Sequence, residues 1–244
     1  MNPVASRRHV LEALAGGGAV LVGLGLGTTV KRARGMTAVA APAAEDAAPA
    51  WVEGQDTPLE DLMREHAVLE RIFLVYEEGS RRLETEGDVA ANVIVQAAGI
   101  VRRYVEDHHE RDEEQHIFPR LERVGVEVDL IRTLLVQHEA GRRLTSEILE
   151  LGKSASPRKP SERSRLAEAV RLFVRMYRPH AARESTVLFA AFRKAVSKSE
   201  YADLERTLEA EDRVLGPGFY EGILEEVCDL ERKLGIDRLA AFTP

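Results

Sequence analysis

Four stretches of this chain carry apolar residues at alternating three- and four-residue spacing, and each has a histidine set into its stripe. The first runs Leu59, Leu62, His66, Leu69, Phe73, Tyr76. The second runs Ile94, Ala98, Val101, Val105, His109 and continues through Glu113 and His116. The third holds Ile131, Leu134, Leu135, His138, Ile148 and Leu149. The fourth holds Leu166, Ala169, Phe173, Met176, His180, Glu184, Val187 and Ala191. That spacing puts each set on one buried face of an α-helix. Four long amphipathic helices with short connections predict an all-α protein, an up-down-up-down four-helix bundle with additional short C-terminal helices.

The helix ends are marked in the sequence. Thr57-Pro58-Leu59-Glu60 is a capping box with proline in the first helical position. The second helix is expected to start after Asp88 and end between Pro119 and Gly125, and the third to run from about Asp129 to Gly152. Residues 153–160 form a polar loop, after which Ser161 can cap the fourth helix. Pro179 lies inside that helix, where it predicts a kink. Residues 200–214 and 219–234 read as shorter helices, split by Gly216-Pro217-Gly218. No stretch reads as a strand.

The first fifty residues differ from the rest. Arg7-Arg8 precede an Ala/Gly/Val/Leu-rich run from about Ala13 to Val30, with Ala38-Val39-Ala40 behind it. A basic start, an apolar middle and a small-residue cleavage site make residues 1–40 a signal peptide. The paired arginines resemble a twin-arginine signal, with His9 where that signal usually carries Phe. The expectation is an exported protein, or a membrane-anchored one if the segment stays uncleaved. Residues 41–56 read as a flexible linker, 57–197 as the bundle and 198–244 as a helical extension packed on it. No later stretch is apolar enough to insert stably in a membrane.

A lone histidine on an apolar face is usually a core residue, but four on four separate helices call for a shared role. Allowing for uncertain helix ends, up-down connection brings all four near the middle of the bundle. Glu113 follows His109 by four residues and Glu184 follows His180 by four, so two helices each aim a histidine and a carboxylate at the same region. A buried, unpaired carboxylate is costly, and a metal ion removes that cost. The single cysteine, Cys228, excludes a disulfide framework, a thiolate zinc site and an iron–sulfur cluster. Imidazoles and carboxylates without thiolate suit iron, manganese or zinc. A net charge of −7 argues against a nucleic-acid partner.

These segments resemble the hemerythrin-like family, also called the HHE cation-binding family. The resemblance rests on Arg64-Glu65-His66, on His108-His109-Glu110-Arg111-Asp112-Glu113-Glu114 leading into Ile117-Phe118-Pro119, on Gln137-His138-Glu139, and on Arg178-Pro179-His180-Ala181-Ala182-Arg183-Glu184. It covers about residues 57–197. It implies a bundle holding two iron ions, with His66, His109, Glu113, His138, His180 and Glu184 at ligand positions and the two glutamates as bridges. It also implies an open position for dioxygen.

One departure stands out. Oxygen-carrying members have a His-x-x-x-His pair on the third helix, whereas His138 has Leu134 four residues before it and Arg142 four after it. His116, seven residues after His109 and three after Glu113, is the candidate replacement, and as an alternative it is a helix-end histidine. Glu110 is a weaker ligand candidate, and His108 falls off the stripe. The expected function is cation binding with dioxygen or a related diatomic as partner, for sensing, storage or scavenging. The alternatives are a di-iron enzyme acting on peroxide or nitric oxide and a plain iron-handling protein.

Overall fold

The computed structural model of the protein describes residues 57–83, 87–153 and 159–244. The expected signal and linker over 1–56, and residues 154–158 of the polar loop, lie outside them. Among the described residues the chain is almost entirely helical and has no strand.

Helix α1 spans Pro58–Arg82. Its capping box is present: Glu60 N–H donates to Thr57 Oγ1 and Thr57 N–H donates to Glu60 Oε2 at 2.8 Å. Thr57→Ala should lower stability by about 1 kcal/mol in urea denaturation, with Thr57→Ser close to wild type.

The second long element is an unbroken helical run of several segments. α2 (Gly87–Ile100) passes into a π-helical stretch, Val101–His109, then α3 (Glu110–Asp112), a second π-helical stretch, Glu113–Ile117, and α4 (Phe118–Arg123). α5 spans Val128–Lys153. The fourth element is α6 (Pro160–Arg183), a π-helical stretch Glu184–Leu188, and α7 (Phe189–Ala195). Lys159, not Ser161, occupies the N-cap of α6, with Pro160 in the first turn and no side-chain cap. The helix continues through Pro179, and its departure from α geometry comes later, at Glu184.

Those π-helical turns shift the buried face. A π turn accommodates one more residue than an α turn, so a stripe read at 3.6 residues per turn drifts off register. Val187, expected inside, is 40% exposed, and Leu188 is buried in its place. Ile117 is likewise buried where the regular period pointed to His116.

α1 packs against α2 and α6, and α5 packs against the same two. α8 (Lys198–Leu215) touches α1, and α9 (Phe219–Lys233) lies on α1 and α2. The apolar core forms two clusters. One gathers Phe73, Tyr76, Phe173 and Tyr177 with residues of α2 and α9; the other gathers Leu59, Phe118, Phe189 and Phe192 with residues of α8. The stripe histidines sit between them. His66 stacks on Phe189 and His138 on Phe118, in the second cluster, while the His180 ring lies 5.0 Å from that of Tyr177, in the first.

Candidate metal centre

The π-helical stretches end or begin on His109, Glu113 and Glu184. Local widening of a helix is frequent at functional sites because it re-aims side chains without breaking the helix. Here those residues converge in one buried layer.

Two imidazole pairs face each other edge to edge. His66 Nε2 lies 2.9 Å from His109 Nε2, and His138 Nε2 lies 3.2 Å from His180 Nε2. Two carboxylates span the pairs. Glu184 Oε2 is 3.3 Å from His66 Nε2, while its Oε1 is 2.9 Å from His180 Nε2 and 3.8 Å from His138 Nε2. Glu113 Oε2 is 3.8 Å from His109 Nε2 and 3.6 Å from His138 Nε2. The donor atoms of His66, His109, Glu113 and Glu184 form one group tight enough to hold a cation, and those of His138, His180 and Glu184 form another.

The outer nitrogens explain why the inner ones are aligned. His109 Nδ1–H donates to Glu65 Oε2 at 2.6 Å, and His138 Nδ1–H donates to Glu114 Oε1 at 2.8 Å. His180 Nδ1–H donates to Gln137 Oε1 at 2.9 Å, and His66 Nδ1 lies 2.8 Å from Ser185 Oγ. The links run around the molecule: α1 holds the second element's histidine, the second holds that of α5, α5 holds that of α6, and Ser185 of the fourth element returns to α1. An Nδ1–H fixed outward leaves the Nε2 lone pair facing inward, which is the arrangement metal-ligating histidines use. Inward lone pairs at 2.9 and 3.2 Å repel unless a proton or a cation lies between them.

The carboxylates have the same requirement. Glu113 and Glu184 are fully buried, and neither oxygen of Glu113 accepts a hydrogen bond from the described residues. Burial, then the Glu184 charge, raises the Glu113 carboxyl well above the usual range. Burial opposes ionisation of Glu184 too, but His180, His138 and His66 outweigh it and hold that carboxyl well below its ordinary value. Two carboxylates so close cannot both ionise cheaply, and a cation between the histidine pairs would let them. The donor set therefore fits a metal.

The other candidates are placed differently. His116 joins neither cluster: its Nε2 lies 2.9 Å from Glu211 Oε1 on α8. His108, expected off the stripe, is buried and lies 3.1 Å from Glu65 Oε1. Glu110 accepts a hydrogen bond from the Tyr177 hydroxyl and ion-pairs with Arg142 at 2.8 Å. Arg142, four residues after His138, also donates to Glu114 Oε1 at 2.7 Å. Tyr177 packs against Gly141, where a Cβ would collide with its ring.

Burial alone would raise the Glu65 carboxyl, but His108 and His109 outweigh it and bring it to about 2. A depressed folded-state pKa stabilises the protein above the unfolded value, near 4.5, and that contribution is lost as pH falls through 2. Wild type in chelator should therefore exceed Glu65→Gln in stability at neutral pH, with the gap closing between pH 4.5 and 2. A gap independent of pH in urea titrations would contradict this.

Residues 57–192 match the family described as the hemerythrin HHE cation binding domain. Uncharacterized proteins of Mycobacterium bovis and of two strains of Mycobacterium tuberculosis are each 41% identical to this chain over 194 residues, covering 78% of it and 76% of their own length. No solved structure matches the chain.

Proposed function

The chain belongs to the hemerythrin HHE cation-binding family, and from that premise we propose that it is a non-haem di-iron protein that binds dioxygen or a related diatomic. The observation that carries the reading is the pair of buried carboxylates set between two pairs of inward-facing imidazoles. In this reading the four long elements form an up-down-up-down bundle. His66 and His109 would hold one iron and His138 and His180 the other, with Glu113 and Glu184 as the carboxylates that would serve both. His116 lies outside the set, because its imidazole is engaged by Glu211.

Bound iron would supply a redox-active centre with a position open to a small ligand. The protein's own groups do the rest. The outer acceptors fix each imidazole, and the two apolar clusters pack against the layer from either side. Arg142 puts a fixed positive charge beside Glu110 and Glu114, and the helix of His138 lacks the His-x-x-x-His pair of the oxygen carriers. That difference favours a second reading, turnover of peroxide or nitric oxide. The Tyr177 hydroxyl donates to Glu110 and so holds that carboxyl near His180.

Metal analysis of purified protein should give about two irons per chain, and near-ultraviolet and visible absorption should change reversibly as air is removed and readmitted. Catalytic loss of added peroxide or nitric oxide would support the second reading. A colourless zinc protein would overturn both.

We further propose export through residues 1–40, with the mature chain starting after Ala40. No described helix is long and apolar enough to cross a membrane. N-terminal sequencing of the secreted protein tests this, and an intact Met1 in that fraction would refute it.

A further inference from the structure

Where α1, the second element and the α8–α9 joint meet, a cleft of about 220 Å³ opens to the surface. Its inner end is Glu65 and His108. Glu65 Oε2 holds His109 Nδ1 at 2.6 Å, so the cleft's inner carboxylate touches a member of the first histidine pair. His108 is only 4% exposed, and its Nδ1 has no hydrogen-bond partner among the described residues. Its Nε2 lies 3.1 Å from Glu65 Oε1 and 3.8 Å from Asp212 Oδ1. The polar side chains therefore grade inward: exposed Asp212, then partly buried Glu65 with buried His108, then the site.

The mouth is negative. Asp61, Glu65, Asp212 and Glu221 line the cleft against Arg64, which pairs with Asp61, and His108, which pairs with Glu65, so Asp212 and Glu221 carry the net charge of the mouth. The larger cleft, about 1040 Å³ between α1 and α6, has the opposite character: Arg81, Arg171, Arg175, Arg178 and Arg183 line it. A cation is repelled by one opening and drawn to the other. A liquid water occupies about 30 Å³, so the smaller cleft has room for a cation carrying several waters.

We propose that the Asp212–Glu65 cleft is the route by which a divalent cation reaches the buried histidine pairs. The outer carboxylates raise its local concentration, and Glu65 and His108 strip its water before it passes His109. This rests on the metal-binding reading and adds to it a role for the C-terminal extension, whose Asp212 and Glu221 form the outer wall. A charged, low-dielectric cleft of this kind speeds association without changing the final affinity.

The test follows uptake of Co²⁺ into full-length, chelator-stripped protein by stopped-flow absorbance. The double variant Asp212→Asn/Glu221→Gln should load about three- to tenfold more slowly at low salt, reach the wild-type stoichiometry, and approach the wild-type rate at high salt. Asp212→Lys should be slower again. A charge-matched control on another face, Glu147→Gln/Glu168→Gln, should load at the wild-type rate. Unchanged rates in the cleft variants, equal slowing in the control, or a lowered final stoichiometry would each overturn the route while leaving the metal-binding reading of the wild-type chain standing. A wild-type chain that binds no Co²⁺ at equilibrium would instead overturn the metal-binding reading itself.

Discussion

Glu184→Ala should leave the protein unable to hold metal at stoichiometric levels and should erase the thermal stabilisation that metal gives. Glu184 spans both histidine pairs through its two oxygens, at 3.3 Å to His66 and 2.9 Å to His180. Alanine thus removes a donor from both groups at once, whereas loss of one histidine touches only one. Metal that binds the folded chain alone stabilises it by about 2.7 kcal/mol when present at a hundred times its dissociation constant. The wild-type melting temperature should therefore rise on loading, and that of the variant should not. Metal analysis checks the first half and thermal denaturation with and without chelator the second. Full metal content in the variant would remove Glu184 from the ligand set.

Phe173→Ala should be the most damaging substitution away from the metal centre, at about 3–5 kcal/mol, the usual cost of hollowing out a buried phenylalanine. Phe173 is fully buried, and its ring centre lies 6.3 Å from that of Phe73, 5.7 Å from that of Tyr76 and 4.4 Å from that of Tyr177. The last contact links the core to the site. Tyr177 is pinned between Phe173 and Gly141 while its hydroxyl donates to Glu110. A cavity at Phe173 frees that ring and leaves Glu110 short of a donor. Urea denaturation measures the loss, and Phe173→Leu should recover most of it. A loss below about 1 kcal/mol for the alanine variant would mean the site collapses freely around the cavity.

The sequence carried the fold class because helical period, capping and loop residues agreed. The four stripe histidines and the two glutamates were equally legible, since each sits on an apolar face in register with its neighbours. The structure brings these six together, and it leaves His116 with Glu211. That residue and Val187 were misplaced for one physical reason: a regular 3.6-residue period was extended through turns that are π-helical. Nothing in the local composition announces such a turn, because tertiary convergence on the site selects it. The outer acceptors were hidden for another reason. Glu65, Glu114, Gln137 and Ser185 flank His66, Glu113, His138 and Glu184 directly in sequence, so a search for one helical face discards them. The available signal was a polar residue directly beside an inward one on each of the four helices: Glu65-His66, Glu113-Glu114, Gln137-His138 and Glu184-Ser185.

That adjacency gives the centre a sense of rotation. Each helix offers one side chain to the middle and the adjacent one to the next helix around, always in the same direction. A bundle with the same four helices wound in the opposite order would keep its apolar stripes facing inward, yet each outer acceptor would point at the wrong neighbour. Apolar packing alone distinguishes the two windings poorly. The hydrogen-bonded circuit distinguishes them chemically, so the groups that orient the imidazoles also act as a check on the path the chain takes through the fold.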